Sequence, residues 1–391
     1  MNASTADVVI LGGGGVGSSI AYFLSGFQPG LKVVVCERDP TYAHASTTLA
    51  AGGIRQMFST PENILMSQYG LTFVKAAADL LAVDGHVPEM GFKDESYLRL
   101  LPESARGLAE EQVELQRSLG AKPQVLEAGA LKAAFAWMNV EDVAFGVLGG
   151  GGEGVFDPYA LLQALRRKAI SQGVWFVTGE VVGLDRDSGG AICAVRLADG
   201  ASIGCGLVIN AAGPRAASVA ALAGLELPVR ALKGHTFAFR SQSAIGGFPV
   251  MLDQVQGINV KPEGDLFLAA WPRAAEPDHP DDFEVDHGLF EAQVWERLAH
   301  RVPAFEAVKL NRAWIGHIEW NDFDANPVLG PHPDLPNFIF ANGFSGHGVQ
   351  HIPAAGRGVA ELIAFGAYRA IDLSRFGYQR LIDNQPLREL I

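Results

Sequence analysis

The chain has 391 residues, of which 48% are hydrophobic and 19% charged, and a formal net charge of −13. The length points to two domains rather than one, and the apolar content is enough for a large buried core. The negative balance argues against nucleic acid or an anionic membrane surface as partner, although one arginine or lysine can still dominate a small pocket for an anion.

The first strand is read from about residue 7, which leaves no room for a signal or transit peptide before it. No apolar stretch approaches the ~20 residues of a membrane span. The three cysteines, Cys36, Cys193 and Cys205, each lie in or beside an apolar run and form no C-x-x-C pair. They read as buried thiols in a reducing compartment, and the expectation is a cytoplasmic protein with no transmembrane segment.

Residues 7–11 read DVVIL, residues 12–17 read GGGGVG, and a helix is expected from Ser18 onwards. Residues 32–36 (KVVVC) form a second β-branched run that ends on Glu37. The order is strand, glycine turn, helix, strand, acid. Gly12, Gly14 and Gly17 fit G-x-G-x-x-G, and Glu37 follows Gly17 by 20 residues. The first glycine permits a tight turn, the second lets backbone N–H groups approach a pyrophosphate, and the third lets helix and sheet close up. The helix N-terminus adds partial positive charge, and a carboxylate ending the second strand can accept bonds from a ribose diol. At this point NAD and FAD are equally open.

A loop of small residues follows, reading ASTTLAAGGIRQMF over 45–58, with Arg55 as its one charge. Pro61 opens a helix expected to run through 78, and a second helix is read near 103–119. The run of four glycines at 149–152 reads as a hinge or crossover. Asp157-Pro158 starts a helix to about residue 171, followed by strands at 174–177 and 180–184 and a hairpin at 188–190. Residues 206–213 (GLVINAAG) are an apolar strand ending in small residues, and 228–275 alternate as antiparallel strands. The acidic stretch 276–287, which opens EPDHPDD, reads as a solvated loop, and 288–301 as a helix. Residues 337–348 (NFIFANGFSGHG) run a strand into a glycine loop. Pro353 is expected near the first turn of the next helix and Gly366 near its end.

The fold expected from this order is α/β: a Rossmann-type, glutathione-reductase-like nucleotide domain from 1–80, 150–225 and 320–391. A mixed β-sheet substrate domain from 81–149 and 226–319 is inserted into it. The second glycine loop is unnecessary for a nicotinamide enzyme with one Rossmann unit. A flavin enzyme needs it, because hydride arriving at N5 leaves negative charge around N1 and C2=O that a helix N-terminus stabilises.

GGGGVG with Glu37-Arg38, STTLAAGGIRQ, GLVINAAGP and NGFSGHG together resemble the D-amino-acid oxidase/sarcosine oxidase group of flavoproteins. Within it, AGGIRQMFSTPENI, DFEVDHGLF, RVPAFE, DFDANPVLGPHP and GFSGHGVQHIPAAGR are most similar to the FAD-dependent oxidoreductase domain-containing protein 1 branch. The resemblance spans essentially the whole chain. It implies an extended FAD, with adenosine at Gly12, Gly14, Gly15, Val16, Gly17, Glu37 and Arg38. Ser46, Thr47, Thr48, Ala51, Gly52 and Gly53 would lie near the pyrophosphate and flavin ring, Val181 over the adenine, and Ala212 and Gly213 as a further backbone contact. Gly343, Ser345, Gly346, His347, Gly348 and Val349 would close over the ring. It further implies hydride transfer from the carbon alpha to an amine to flavin N5, giving an imine that hydrolyses; the pocket should favour the neutral amine by desolvation.

By the same resemblance, Arg55 falls where sarcosine oxidases keep an arginine for the substrate carboxylate, which a guanidinium fork suits. The alternative is an arginine that braces the loop. Gln350 stands where those enzymes carry a second cation. Phe267 and Trp271 stand where they carry a lysine and a histidine above the flavin, so the electron acceptor is open between O₂ and a carrier or quinone. Lys261 is a nearby catalytic candidate, or an exposed strand residue. His347 is a candidate beside the ring, or a satisfied structural imidazole. His317 and Glu319 are expected to line the pocket. Ala50 replaces a flavin-linking histidine, and no cysteine follows Cys205, so non-covalent FAD is expected. No metal-ligand spacing occurs, and no metal is expected. The function expected is oxidation of the C–N bond of a secondary or N-substituted amine or amino acid. The alternatives are a D-amino-acid or cyclic imino-acid dehydrogenase and a non-catalytic flavin-binding assembly factor.

Overall fold

The computed structural model describes residues 4–272 and 279–390. Five parallel strands form the centre of the first sheet, in the spatial order Trp175–Thr178, Val33–Glu37, Thr5–Leu11, Ser202–Asn210 and Leu335–Asn342. Val328–His332 adds an antiparallel edge, and the hairpin of Val181–Arg186 and Ile192–Leu197 pairs onto the start of Ser202–Asn210. These strands are near-continuous β-branched and apolar runs because both faces are covered. On one side lie the helices Gly15–Phe27, Pro61–Lys75, Pro158–Ser171 and Gly348–Phe365, joined in one core through Ile20, Met66, Leu161 and Val359. On the other side the helix Ala216–Leu222 and Phe338, Phe340 and Tyr378 close a second core.

The second sheet has the order Val308–Asn321, Val229–Ser241, Leu266–Pro272, Ile258–Glu263, Val250–Asp253, Tyr97–Leu101, Phe145–Leu148, Gln124–Glu127. One face carries an aromatic core of Phe237, Phe239, Phe248, Phe267 and Phe305, sealed by Leu298 of the helix Trp295–Arg301. The opposite face meets the 49–58 segment. Trp314 donates its indole N–H to the Leu49 carbonyl at 3.1 Å, and the Tyr97 hydroxyl abuts Gly53. A short sheet of Gly53–Ile54, Gly154–Val155 and Lys93–Asp94 ties the two layers together.

Four local expectations change. Pro353 lies inside the helix Gly348–Phe365, well past its first turn. The stretch near 288–301 opens with the wide turn Phe290–Val294 before becoming the helix Trp295–Arg301. Only Cys36 is buried; Cys193 is exposed and Cys205 half-buried, because strand alternation turns Cys193 to the solvent side of its hairpin. The acidic loop is also more than solvated where it is described: Asp281 bonds Arg38 at 3.1 Å and pairs with Arg215, and Asp282 pairs with Lys233. Its opening residues 276–278 lie outside the described residues.

Among the described residues, no helix is long and apolar enough to cross a membrane, and no group of three or more His, Cys, Asp or Glu is disposed to hold a metal ion.

Candidate active site

A cavity of about 340 Å³ starts at the glycine turn, where Gly12, Gly14, Gly15 and Val16 line it. The turn needs its glycines for room. A Cβ on Gly17 would sit 1.9 Å from the Gly12 carbonyl oxygen, whereas one on Gly14 would meet nothing within 4 Å. Gly17 thus lets the helix Gly15–Phe27 sit against the first strand, and Gly14 leaves the helix end open. That end has neither a side-chain cap nor an acid in its first turn, so its partial positive charge is uncompensated within the helix. This suits a diphosphate. There the Thr47 hydroxyl accepts the Gly15 N–H at 3.2 Å.

Further along, Glu37, Arg38, Val181, Ala212 and Gly213 line the cavity. The Glu37 carboxylate accepts the Gly13 N–H at 2.8 Å and the Asp39 N–H at 2.9 Å, which fixes it beside the turn. Arg215 enters from the strand-end turn after GLVINAAG and shares Asp281 with Arg38. Sequence reasoning missed Arg215, whose only signal was its place three residues beyond Ala212.

Other walls are Ser46, Thr47, His317, Glu319 and Ala341. Ser46 donates its hydroxyl to the His317 carbonyl at 2.7 Å, which joins the small-residue loop to the strand Val308–Asn321. The His317 Nε2–H donates to the Asp282 carbonyl at 2.9 Å. Glu319 accepts the Gly343 N–H at 3.0 Å, and its own carbonyl accepts the Ser345 N–H at 3.0 Å. Glu319 therefore holds the C-terminal glycine loop from the cavity side. Burial pushes its carboxyl up to about 7, against the opposing pull of the Gly343 and Phe344 N–H groups.

Arg55 stands on the other side of that loop. Its main-chain N–H donates to Gln350 Oε1 at 2.8 Å, and its guanidinium donates to His347 Nδ1 at 3.4 Å and lies 4.8 Å from the Phe58 ring centre. No carboxylate among the described residues lies within 4 Å of it. Glu153 and Glu389 act on it only at longer range, and burial lowers its pKa. His347 is pushed well below the ordinary imidazole value by burial and then by the Arg55 charge, so it is neutral and can accept from Arg55. His351, bonded to the Ser67 hydroxyl at 3.1 Å, is pushed down to about 3 by the same causes. Gln350 spends its amide oxygen on the Arg55 N–H and the Ser67 hydroxyl, so it braces Arg55.

Two expected substrate contacts are placed elsewhere. Phe267 lies in the aromatic core on the far face of the second sheet, and Trp271 packs beside it under the Arg297 guanidinium. Strand alternation turns 267, 269 and 271 together into that core. Leu268 is the residue on the near face, opposite Lys261 in the register. Lys261 is buried rather than exposed and pairs with Glu263 at 2.6 Å.

Gly17, Thr48, Ala51, Gly52 and Gly53 lie beside the cavity wall in sequence but are not part of it, and the same is true of Gly343, Ser345, Gly346, His347, Gly348 and Val349. The Thr48 hydroxyl is buried without a hydrogen-bonding partner among the described residues. In the run 149–152, Gly149 makes room for the buried Glu153, whose carboxylate accepts the Gln56 and Tyr97 N–H groups. Neither Glu153 nor Tyr97 carried a motif that sequence reasoning could use.

Comparison with known proteins agrees with this geometry. Residues 7–362 match the family model described as FAD dependent oxidoreductase. The FAD-dependent oxidoreductase domain-containing protein 1 of Xenopus laevis is 40% identical, over 98% of this chain and 84% of that protein. The mitochondrial sarcosine dehydrogenase of Mus musculus is 25% identical, over 99% of this chain and 43% of that protein. Among solved structures, the L-proline dehydrogenase from P. horikoshii superposes with a TM-score of 0.86 at 23% identity, covering 98% of this chain and 100% of that one. An open helix end, an acid at the second strand and a cavity lined from both sheets are thus joined to a match along most of the chain, and the protein belongs to the FAD-dependent oxidoreductase family.

Proposed function

We propose that this protein oxidises the C–N bond of a secondary or N-substituted amine that carries a carboxylate. The observation that supports this reading most is Arg55, a half-buried guanidinium with no carboxylate within 4 Å among the described residues, braced by Gln350 and by neutral His347. Burying a cation even partly without a counter-ion is costly, and a substrate carboxylate would offset that cost.

The cavity fits the family's cofactor. The open Gly14 end of the helix would take the phosphates with Thr47 beside it, Glu37 would face the ribose, and Ser46, His317 and Glu319 would lie toward the ring. These residues would hold FAD without a covalent link. When bound, FAD supplies a two-electron acceptor: hydrogen leaves the carbon with its electron pair, C–N becomes C=N, and water cleaves the product to a carbonyl compound and an amine.

The chain's own residues bind and position. Arg55 orients the carboxylate, and the neutral histidines add no positive charge that would disfavour approach of an amine. Burial favours the neutral amine, the form that can release hydride. L-proline dehydrogenase and sarcosine dehydrogenase are both named for secondary amino acids, in keeping with this class. The acceptor in this reading is a carrier, a quinone or O₂.

The test is anaerobic mixing of FAD-loaded protein with a panel of N-alkyl amino acids, watching the flavin band. Bleaching by at least one amine is expected, and readmitted air then separates oxidase from dehydrogenase. A flavin that no amine in the panel reduces would remove this reading.

A further inference from the structure

Arg99 is a buried guanidinium, only 7% exposed, on the near face of the second sheet. It follows Tyr97, whose hydroxyl abuts Gly53, by two residues on the same strand, and so shares its face. Its hydrogen-bond partners are neutral: Nη1–H donates to Gln112 Oε1 at 2.8 Å and Nη2–H to Gln254 Oε1 at 3.4 Å. Among the described residues no carboxylate lies within 4 Å of it. Across the sheet its register row continues through Leu252, Asn259, Ala270 and Thr236 to Trp314. That row is small or neutral throughout and contributes no anion.

Arg55 and Arg99 feel each other. Burial and then the Arg55 charge push Arg99 down to about 10. The acid that acts on both is Glu389. Its two oxygens are spent on the Ser59 and Thr60 N–H groups, the Ser59 hydroxyl and the Asn63 amide. A buried Arg99 thus feels the charge of a half-buried Arg55, and among the described residues neither has a contacting counter-ion. Such an arrangement is expensive unless an anion joins it.

We propose that Arg99 forms a second carboxylate subsite, and that the substrate is an N-substituted amino dicarboxylate whose two acid groups engage Arg55 and Arg99. This rests on the amine-oxidation reading and narrows it. A dianion around one neutral nitrogen matches two guanidiniums, whereas a monocarboxylate leaves Arg99 unpaired.

Binding tests it without turnover. Thiodiacetate carries two carboxylates around a sulfur that replaces the nitrogen, and methylthioacetate carries one. Calorimetry on FAD-loaded protein should find thiodiacetate tighter by about tenfold or more, the value of one charged hydrogen-bonded contact. Arg99→Gln should bring that ratio to within about twofold, and Arg99→Lys, which keeps the charge without the fork, should give an intermediate ratio. A ratio near one in the parent protein, or an unchanged ratio in a folded Arg99 variant, overturns the proposal. If N-methyl monocarboxylates bleach the flavin and dicarboxylates show no preference, the subsite fails and the amine reading stands. If thiodiacetate is preferred through Arg99 and no amine bleaches the flavin, the subsite stands and the amine reading fails.

Discussion

The Arg55 guanidinium donates to Nδ1 of His347 at 3.4 Å, and burial beside that charge keeps His347 neutral. The imidazole therefore orients the arginine without neutralising it, and the positive charge remains available to a carboxylate. Arg55→Gln is expected to raise the apparent Kd of carboxylate-bearing substrates by roughly 2–3 kcal/mol, the value of a charged hydrogen bond. Arg55→Lys should recover part of this, since charge returns without the fork. Rapid-mixing titration of flavin reduction measures both, and unchanged affinity in Arg55→Gln would take Arg55 out of the site.

Thr47 accepts the Gly15 N–H at the open helix end. Thr47→Val keeps the shape and removes the acceptor, so the loop of residues 46–54 loses a tether to the glycine turn. FAD affinity should fall by about 1 kcal/mol, as for a lost helix cap. Titration of apoprotein with FAD, followed by quenching of flavin fluorescence, reads this directly. Equal affinity would show that the contact does not support the cofactor.

Glu319 gives a pH signature. Its carboxyl lies at about 7 in the folded chain against an ordinary 4.5. The folded state therefore holds this proton more tightly than the unfolded state. Stability from this group is fully present below about pH 4.5 and is lost as pH rises to about 7, to a limit of roughly 3 kcal/mol. Glu319→Gln cannot ionise and keeps an oxygen for the Gly343 N–H. Its stability relative to the parent should climb between about pH 4.5 and 7 and then level off. Urea unfolding of apoprotein across that range is the measurement, and a difference independent of pH would contradict it.

Gly53 and Tyr97 make a packing test. A Cβ on Gly53 would lie 1.8 Å from the Tyr97 hydroxyl but 3.1 Å from the ring carbon that bears it. Gly53→Ala should cost about 1–3 kcal/mol from overpacking. In a Tyr97→Phe background the same change should cost clearly less, because the nearest atom is gone. Additive effects in thermal unfolding would mean that the two residues do not meet in solution.

Much of the cofactor half was legible from local chemistry. Gly12, Gly14, Gly17 and Glu37 announce themselves because the turn, the helix end and the second strand are contiguous in sequence, and a phosphate-binding turn leaves few residue choices. The substrate half was less legible. Phe267 and Trp271 were placed by resemblance of position, which does not carry the side chain's direction, and the strand turns both into the aromatic core. Arg99 is a lone charge in an apolar strand and Glu153 a lone acid in a glycine run, and only packing reveals that both are buried.

The sequence by itself determined the nucleotide turn, the family and the order of strands and helices, since these rest on short-range sterics and period. The tertiary structure decided which charges are left without a counter-ion. Arg55 comes from a loop near the N-terminus, Arg99 from a strand of the second sheet and His347 from the C-terminal glycine loop. Their charge balance depends on distances between segments far apart in the chain. Burial and separation set the energy of a charge, and neither exists until the two sheets are packed together.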